Sequence, residues 1–331
     1  MRLDGKQVIV TGADGFIGSH LVEALVATGA TVTAFCYYNS FDSRGWLDES
    51  PSEVTDEVRV VMGDVRDPHA VRDALAGFDV AFHLAALIGI PFSYQAPDSY
   101  LETNVKGTLN ILRAAHDLCL ERVLVTSTSE VYGTARYVPI DEAHPRQGQS
   151  PYSASKIAAD SMAEAFHRSF ALPVVIARPF NTYGPRQSAR AVIPTIVSQL
   201  LQGAEQLRLG SLAATRDLTF VSDTCEGLIA LASADGAVGR DVNLGTGNEI
   251  SIGDLARLVM ELAGRSVPIV VEDSRLRPDG SEVERLVSDN SLAREIAGWS
   301  PRVSLHEGLE RTLEWFGDQR NLERYRLGYT I

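Results

Sequence analysis

The chain is poor in cysteine and has no long apolar run, and both absences limit its class. Its 331 residues include three cysteines, which lie far apart without metal-binding spacing: Cys36, Cys119 and Cys225. An odd number of scattered cysteines suits a reducing compartment better than a disulfide framework. No apolar run approaches the roughly 18 residues of a membrane span, and the N-terminus lacks the apolar core of a signal peptide. We therefore expect a soluble, cytoplasmic protein with no membrane partner.

Positive charge is also scarce. The 30 lysines and arginines face 43 aspartates and glutamates, giving a formal net charge of -13 and a pI of about 5.0. This balance argues against a nucleic-acid partner. An anionic ligand would need a local group of arginines. The seven histidines show no catalytic or metal-ligating spacing, so no metal site is expected.

The first half of the chain alternates short β-branched runs with longer amphipathic stretches. This alternation predicts an α/β fold, a Rossmann-type doubly wound parallel sheet that binds ligands at the carboxyl ends of its strands. The predicted strands are 7–10, 31–35, 58–62, 80–84, 122–126 and 174–177. The predicted helices are 18–28, 67–76, 103–118 and 153–170.

The composition of the sequence changes after Arg178. Proline, glycine and arginine become frequent, and the elements shorten. We predict a dinucleotide-binding domain over residues 1–178 and a smaller α/β substrate-binding lobe over 179–331. A segment near 216–244 is expected to return to the sheet, because 218–221 and 241–244 both have strand composition.

A glycine-rich turn lies between the first predicted strand and the first helix. Glycine lets the chain turn tightly, lets a diphosphate approach the backbone and lets the helix pack on the sheet. The position of the turn makes a dinucleotide site the favoured interpretation. The predicted cofactor-binding residues here are Gly12, Asp14, Gly15, Phe16, Ile17 and Gly18. Asp64 and Val65, after the third strand, are placed to contact an adenine ring.

The choice between NAD and NADP depends on the end of the second strand. NAD recognition usually uses an acid there, which holds the ribose hydroxyls. Residues 35–40 (FCYYNS) contain no acid. Asn39, Ser40 and Arg44 are suited to holding a 2′-phosphate instead. The sequence therefore favours NADP, with NAD as the alternative. The simpler explanation for Arg44 is a solvated loop residue that holds no phosphate.

Two short motifs carry the predicted chemistry. Tyr152 and Lys156 stand four residues apart, so they face the same way on a helix. A nearby ammonium group lowers the pKa of a phenol, which makes it a base for a sugar or alcohol hydroxyl. Thr128 and Glu130 follow the fifth predicted strand, where Thr128 can bond Tyr152 and Glu130 can act as a second base. The alternative is that Glu130 is a helix-capping or surface carboxylate. The Tyr152 and Lys156 pair nearby makes this alternative the less favoured one.

These motifs together resemble an extended short-chain dehydrogenase/reductase of the nucleotide-sugar epimerase/dehydratase family. The resemblance spans nearly the whole chain and rests on 11–18 (TGADGFIG), 64–65 (DV), 83–86 (HLAA), Asn104, 128–133 (TSEVYG), Tyr152 with Lys156, and 178–186 (RPFNTYGPR). Within the family the chain is most similar to 4,6-dehydratases of the N-acetylglucosamine-nucleotide branch that feeds legionaminic-type acid synthesis. Segments 37–41, 86–91 and 187–194 carry that similarity.

The resemblance implies a redox-neutral elimination. Tyr152 would take the C4 hydroxyl proton while hydride passes to a tightly bound, recycled nicotinamide. Glu130 would then remove the C5 proton, water would leave from C6, and hydride would return to give a 4-keto-6-deoxy sugar. Lys156 would tune Tyr152 and hold the nicotinamide ribose, and three more residues are implied in cofactor binding: Leu84, Ala85 and Ala86.

One residue departs from the glucose-type dehydratases of the family. Many of them carry an aspartate between the threonine and the glutamate, where this chain has Ser129. A serine hydroxyl is too weakly acidic to protonate the leaving hydroxyl alone, so either Glu130 returns its proton or Ser129 relays one. Mannose-type dehydratases also carry serine here. The same triplet occurs in UDP-glucuronate decarboxylases, so decarboxylation stays open beside 4-epimerisation and a catalytically silent NAD(P)-sensing protein.

A nucleotide diphosphate sugar requires a basic site in this acidic chain. The predicted substrate-binding residues are Asn181, Arg186, Arg216 and Arg277, where guanidinium groups suit bidentate phosphate binding. Asn104 is interpreted as structural, bonding backbone near the active-site strand. The resemblance also implies a homodimer that pairs helices 103–118 and 153–170 in a four-helix bundle. The base of the nucleotide, UDP or GDP, and the 2-substituent of the sugar stay open.

Overall fold

The computed structural model describes residues 1–325, so residues 326–331 of the predicted second lobe lie outside the described residues. Fourteen strands are present in this part of the chain. They are β1 (Gln7–Thr11), β2 (Thr31–Tyr37), β3 (Arg59–Gly63), β4 (Val80–His83), β5 (Arg122–Thr126), β6 (Val174–Pro179), β7 (Asn181–Tyr183), β8 (Leu207–Leu209), β9 (Thr215–Arg216), β10 (Leu218–Phe220), β11 (Asp241–Leu244), β12 (Ile250–Ser251), β13 (Ile269–Val271) and β14 (Arg285–Leu286).

Thirteen α-helices accompany these strands within residues 1–325. They are α1 (Phe16–Val26), α2 (Ser52–Thr55), α3 (Pro68–Leu75), α4 (Ile90–Gln95), α5 (Pro97–Tyr100), α6 (Gly107–Asp117), α7 (Pro151–Phe170), α8 (Val192–Leu201), α9 (Val221–Ser233), α10 (Ile252–Leu262), α11 (Ser291–Ala297), α12 (Leu305–Gly317) and α13 (Gln319–Leu322). None of the helices described is long and apolar enough to cross a membrane.

The centre of the fold is a seven-stranded sheet in the order β11-β6-β5-β4-β1-β2-β3. All of its neighbouring strands pair in parallel. Val8, Ile9 and Val10 of β1 are fully buried, as expected for a strand covered by helices on both faces. The predicted doubly wound parallel sheet is therefore confirmed, and the order of strands reverses between β1 and β4, where such folds bind ligands.

The predicted helix 103–118 is only partly α-helical. The chain forms a π-helical turn over Leu101–Lys106, and α6 follows from Gly107. Asn104 within this turn is fully buried; its amide Nδ2 donates to the Leu87 carbonyl and to Ser155 Oγ, both at 2.9 Å. The interpretation of Asn104 as a structural residue near the active-site strand is thereby confirmed. A π-helical turn of this kind widens a helix locally, and such turns often occur near functional sites.

Helix α7 has a well-defined start. Ser150 accepts a hydrogen bond from the Ser153 backbone amide, and the Ser153 side chain accepts one from the Ser150 amide. This reciprocal capping, with Pro151 at the first helical position, satisfies otherwise unpaired amides. The cap fixes the start of the helix at Pro151, one residue ahead of Tyr152, and so positions the Tyr152 side chain.

Of the segment near 216–244 that was predicted to return to the sheet, β11 lies in the main sheet and β10 does not. Strand β11 pairs in parallel with β6 at the edge of the main sheet. Strand β10 instead pairs with β7 in a separate two-stranded sheet, because β7 has already left the main sheet after β6.

The two predicted segments of the chain share one hydrophobic core. A single buried cluster contains Val8 and Leu21 from the first segment together with Leu207, Leu255 and Leu309 from the second. The apolar contacts therefore continue across residue 178, and the division into domains 1–178 and 179–331 stays a prediction.

Candidate active site

The glycine turn after β1 is built for close backbone contact. Gly12 has a φ of +70°, and a Cβ there would lie 2.7 Å from the Ala85 backbone nitrogen. A Cβ on Gly18 would lie 2.0 Å from the Gly12 carbonyl oxygen. Both positions therefore require glycine. This tight turn leads from β1 into α1, at the reversal of strand order, and the arrangement fits a dinucleotide diphosphate.

The other predicted cofactor residues lie around the same crevice. Val65 is buried after β3, and the Asp64 carboxylate is paired with Arg66. The segment that follows β4 runs through Leu84, Ala85 and Ala86, each half-buried, and the Ala85 amide donates to Thr11 Oγ1 at 3.3 Å. The loop after β4 is thus tied to the end of β1. His83 itself is buried and bonds Thr11 and Thr108, so it is a core residue with both ring nitrogens satisfied.

The residues predicted to hold a 2′-phosphate have other partners. Asn39 Oδ1 accepts hydrogen bonds from the amides of Phe41 and Ser43, so its side chain organises its own loop. Arg44 Nε lies 2.8 Å from Asp48 Oδ1 in an ion pair, and Ser40 is exposed. Two of the three side chains are therefore engaged within the loop, which weakens the basis of the NADP prediction.

An acid does stand at the end of β2, but it comes from the glycine turn. The backbone amide of Tyr37 bonds the carboxylate of Asp14, and burial raises the pKa of Asp14 while these backbone bonds lower it. The residues at the end of β2 itself include no acid. The contact between Asp14 and Tyr37 joins the turn after β1 to the end of β2, so the spacing of residues along the chain does not predict it.

The catalytic candidates meet at the carboxyl end of β5. Thr128 Oγ1 accepts a hydrogen bond from the Glu130 amide at 3.2 Å and so caps the short helical turn Ser129–Tyr132. The same threonine side chain bonds the Tyr152 phenol. Tyr152 is 7% exposed; burial raises its pKa, and the Thr128 bond opposes that rise.

Lys156 does not pair with Tyr152 as expected. Its Nζ donates to the Thr126 carbonyl oxygen at 2.7 Å. Burial lowers the pKa of Lys156, and the Asp160 carboxylate, one helical turn further on, raises it. The two side chains share one face of α7, as predicted, but the described contacts of Lys156 run to the end of β5 and not to the phenol.

Glu130 lies in a pocket with two arginines. It is 8% exposed, and its Oε2 is 3.8 Å from Arg277 Nη1. Glu282 faces the same group, with Oε1 3.2 Å from Arg216 Nη2 and 4.0 Å from Arg277 Nη1. Glu130 is therefore neither a surface carboxylate nor a helix cap. Sequence patterns did not predict a role for Glu282, because an acid near two arginines that are predicted to bind phosphate has no distinctive sequence signature.

Ser129 and Asn181 lie just after the ends of β5 and β6. Ser129 is 3% exposed beside Glu130 in the helical turn. Asn181 begins β7, just after β6, and in the described part of the chain its buried Oδ1 has no hydrogen-bond partner. An unpartnered acceptor at this edge of the sheet is consistent with a ligand-facing role.

Arg186 pairs with helix α1, and this corrects the prediction that it contacts the phosphates. Its Nη1 is 2.8 Å from Glu23 Oε1 and 3.2 Å from Ser19 Oγ, both on α1. The residue is 7% exposed and has a φ of +68°. The 178–186 segment turns back onto α1 at this point, so Arg186 joins the two segments of the chain and does not lie with Arg216 and Arg277.

The combination of a glycine turn, a tyrosine–lysine helix and a buried glutamate at one sheet edge agrees with a sequence comparison. The profile of the GDP-mannose 4,6 dehydratase family matches residues 9–312. The chain belongs to this family. The predicted resemblance to a nucleotide-sugar epimerase/dehydratase of the short-chain dehydrogenase/reductase type is thereby confirmed.

Curated relatives of this family member include enzymes of two reaction types. It is 33% identical over 319 residues to a dTDP-glucose 4,6-dehydratase of Streptomyces niveus, covering 95% of this chain and 94% of that one. It is also 33% identical over 326 residues to a UDP-N-acetyl-alpha-D-glucosaminuronate decarboxylase of Bacillus cytotoxicus, covering 96% and 99%. The prediction of a sugar-nucleotide enzyme agrees with both.

Among solved structures, the dTDP-glucose 4,6-dehydratase DesIV from Streptomyces venezuelae, a double mutant with NAD and DAU bound, is a close match. Its TM-score is 0.87 at 31% identity, covering 97% of this chain and 100% of that chain. That neighbour binds NAD. Within residues 1–325 of the present chain, no group of three His, Cys, Asp or Glu side chains is arranged to hold a metal ion.

Proposed function

We propose that the protein is a nucleotide-sugar 4,6-dehydratase that converts UDP- or GDP-N-acetylglucosamine to the 4-keto-6-deoxy sugar. The observation that carries this proposal is the meeting of Thr128, Glu130 and Tyr152 at the end of β5, with Glu130 buried beside Arg277. A phenol and a second, separate base at one site suit a reaction that moves two different protons. The activities of the relatives agree with this class, and one of them acts on an N-acetylated sugar nucleotide.

The side chains divide the proton transfers between them. Tyr152 is proposed to take the C4 hydroxyl proton, with Thr128 orienting the phenol by the hydrogen bond they share. A bound nicotinamide dinucleotide, held by the glycine turn and the segment after β4, would supply reversible hydride acceptance. Glu130 is proposed to remove the C5 proton, which the neighbouring C4 ketone makes acidic. Because Ser129 is no acid, protonated Glu130 is proposed to give its proton to the leaving C6 hydroxyl, directly or through Ser129.

Decarboxylation of a UDP-uronate is the second candidate. It is favoured by Ser129 within the Thr-Ser-Glu triplet and by the 33% identity to a sugar-nucleotide decarboxylase. A C6 carboxylate would leave as carbon dioxide once a ketone forms at C4, and Glu130 would then not be needed to remove the C5 proton. Simple 4-epimerisation makes no use of Glu130 as a base, and a silent sensor would use neither Tyr152 nor Glu130.

The decisive assay compares nucleotide sugars by mass spectrometry. The protein is incubated with UDP- and GDP-linked N-acetylglucosamine, with the corresponding glucose nucleotides, and with UDP-glucuronate. We expect an N-acetylglucosamine nucleotide to lose the mass of one water. Release of carbon dioxide from UDP-glucuronate, with no water loss from the other substrates, would replace the proposal with the decarboxylase. Interconversion of C4 isomers alone would indicate an epimerase.

Arg277 is proposed to bind the diphosphate together with Arg216 and Asn181. Arg277→Gln should raise KM for the nucleotide sugar by about 10–100-fold, since a charge-assisted hydrogen bond contributes roughly 1.5–3 kcal/mol. Steady-state kinetics would measure this, with Arg275→Gln as the matched control. Arg275 lies two residues earlier and pairs with Glu272 at 2.6 Å, so its loss should leave KM near the wild-type value. An unchanged KM for Arg277→Gln would remove this residue from the diphosphate site.

We propose NAD as the cofactor, in place of the NADP that the sequence favoured. Asp14 brings a carboxylate to the Tyr37 amide at the end of β2, and Arg44 is neutralised by Asp48. A 2′-phosphate would therefore meet a carboxylate rather than a free cation. Calorimetry should show NAD⁺ binding at least about tenfold more tightly than NADP⁺, a difference of roughly 1.4 kcal/mol.

Two variants test the source of that preference. Asp14→Asn should narrow the affinity gap between the cofactors, because it removes the carboxylate. Asp48→Asn would release Arg44 from its ion pair and shows whether that guanidinium can reach a phosphate. Tighter binding of NADP⁺ by the wild type would restore the original expectation.

A homodimer through a four-helix bundle is also proposed. Leu101, Met162 and Phe170 lie on the π-helical turn and α7, and they are 53%, 38% and 54% exposed. Large exposed apolar side chains on these helices favour a buried interface in an assembly. Light scattering should give about twice the 35.9 kDa chain mass, and Met162→Glu should shift it toward the monomer. A monomeric wild type would contradict the proposal.

A further inference from the structure

Tyr152 stands next to a network of buried charges that the proton transfers above do not use. Lys156, Asp160 and Arg178 are 4%, 0% and 0% exposed. Lys156 and Asp160 lie one turn apart on α7, and adjacent residues at the end of β5 hold them. Lys156 Nζ donates to the Thr126 carbonyl, and Ser127 Oγ donates to Asp160 Oδ2 at 2.8 Å.

Two carboxylates, Asp160 and Asp241, pair with Arg178. Arg178 donates to Asp160 Oδ2 from Nε at 3.3 Å and from Nη2 at 3.1 Å, and its Nη1 contacts Asp241. Asp241 is about a quarter exposed and also pairs with Arg146 at 3.3 Å. Asp241 therefore already serves two arginines. Asp160 Oδ1 carries no hydrogen bond within the described chain, so one oxygen of this carboxylate is unpaired one helical turn from Lys156.

Resting on the proposed function, we infer that Asp160 is a positioning residue that keeps the buried Lys156 side chain an ammonium ion beside Tyr152. An isolated lysine taken out of water loses its proton, and a carboxylate nearby restores the charged form.

The other groups around Lys156 do not replace Asp160. His83 on β4 is neutral, because burial and then the Lys156 charge lower its pKa to about 3. Arg178 on β6 has the same sign as Lys156, and Asp241 on β11 is committed to arginines. Tyr152 itself is uncharged in the resting enzyme, since burial raises the pKa of its phenol.

The composition of the chain allows a direct test. The sequence contains three lysines, Lys6, Lys106 and Lys156. Holoenzyme isotope-labelled at lysine Cε will show three resonances, which Lys6→Arg and Lys106→Arg assign. We expect the Lys156 resonance to stay in its ammonium position through neutral pH. In Asp160→Asn its titration should move to lower pH by about one pH unit or more.

Ser127→Ala is the matched control. It removes a neutral hydrogen bond to the same carboxylate and leaves the charge, so the Lys156 titration should stay near wild type. A merely structural role for Asp160 would disturb both variants alike and leave the titration in place. A wild-type Lys156 that is already neutral at neutral pH would overturn the inference, without needing Asp160→Asn to fold. No sugar nucleotide enters this measurement, so its failure and a failed dehydration assay are separate results.

Discussion

Replacing Glu130 with glutamine will separate hydride transfer from elimination. The amide has nearly the shape of the carboxylate but cannot take the C5 proton. Removal of a positioned base costs about 10²–10⁴-fold in rate, so water loss should fall by that factor. Tyr152 and Thr128 keep their hydrogen bond, and the oxidation at C4 should continue. We expect the absorbance of reduced nicotinamide to rise with nucleotide sugar while the dehydrated product nearly disappears.

Exchange of the C5 proton gives a second measurement of the same base. In deuterated water the wild type should place solvent deuterium at C5, and Glu130→Gln should not. Glu282→Gln is the matched control, because Glu282 faces the same two arginines from a different segment. It should alter nucleotide-sugar binding and leave the ratio of water loss to cofactor reduction unchanged. Normal turnover by Glu130→Gln would show that another group removes the C5 proton.

Local patterns were enough to predict the central sheet. Strand β5 appears at 122–126 as predicted, because a run of buried β-branched and apolar residues between two helices has few other solutions. The glycine turn was equally predictable, since the steric demands at Gly12 and Gly18 arise from residues close in sequence or from the adjacent strand end. The π-helical turn at Leu101–Lys106 was not, because its hydrophobic pattern differs little from that of an α-helix.

The site was predictable in its residues but not in their partners. Tyr152, Lys156 and Glu130 were found from motif spacing, whereas the partner of Lys156 is a backbone carbonyl thirty residues earlier, at Thr126. Arg186 was misplaced for the same reason, since Glu23 on α1 is remote in sequence. Long-range pairings depend on how the elements pack, and a sequence pattern records only the elements.

Replacing Tyr152 with phenylalanine should abolish the first chemical step. Phenylalanine keeps the ring and its packing but removes the hydroxyl that takes the C4 proton. We expect reduction of the bound cofactor by nucleotide sugar to slow by about 10²–10⁴-fold, and water loss to fall with it. Stopped-flow absorbance measures the first effect. The base form of Tyr152 grows with pH, and burial raises its pKa, so the wild-type rate should still be increasing above neutral pH, a dependence that the variant should lose.

Tyr100→Phe separates loss of this base from loss of a buried hydroxyl. The Tyr100 ring packs edge-on against Tyr152 with centroids 6.3 Å apart, and its hydroxyl donates to the Gly89 carbonyl. Tyr100→Phe removes a hydroxyl from the ring next to Tyr152 and leaves the Tyr152 base in place, so cofactor reduction should stay near the wild-type rate. Tyr152→Phe and Glu130→Gln should also differ from each other, because only the glutamine variant can still oxidise C4. If Tyr152→Phe reduced its cofactor normally, Glu130 would have to take both protons in turn, and the division between two bases would be wrong.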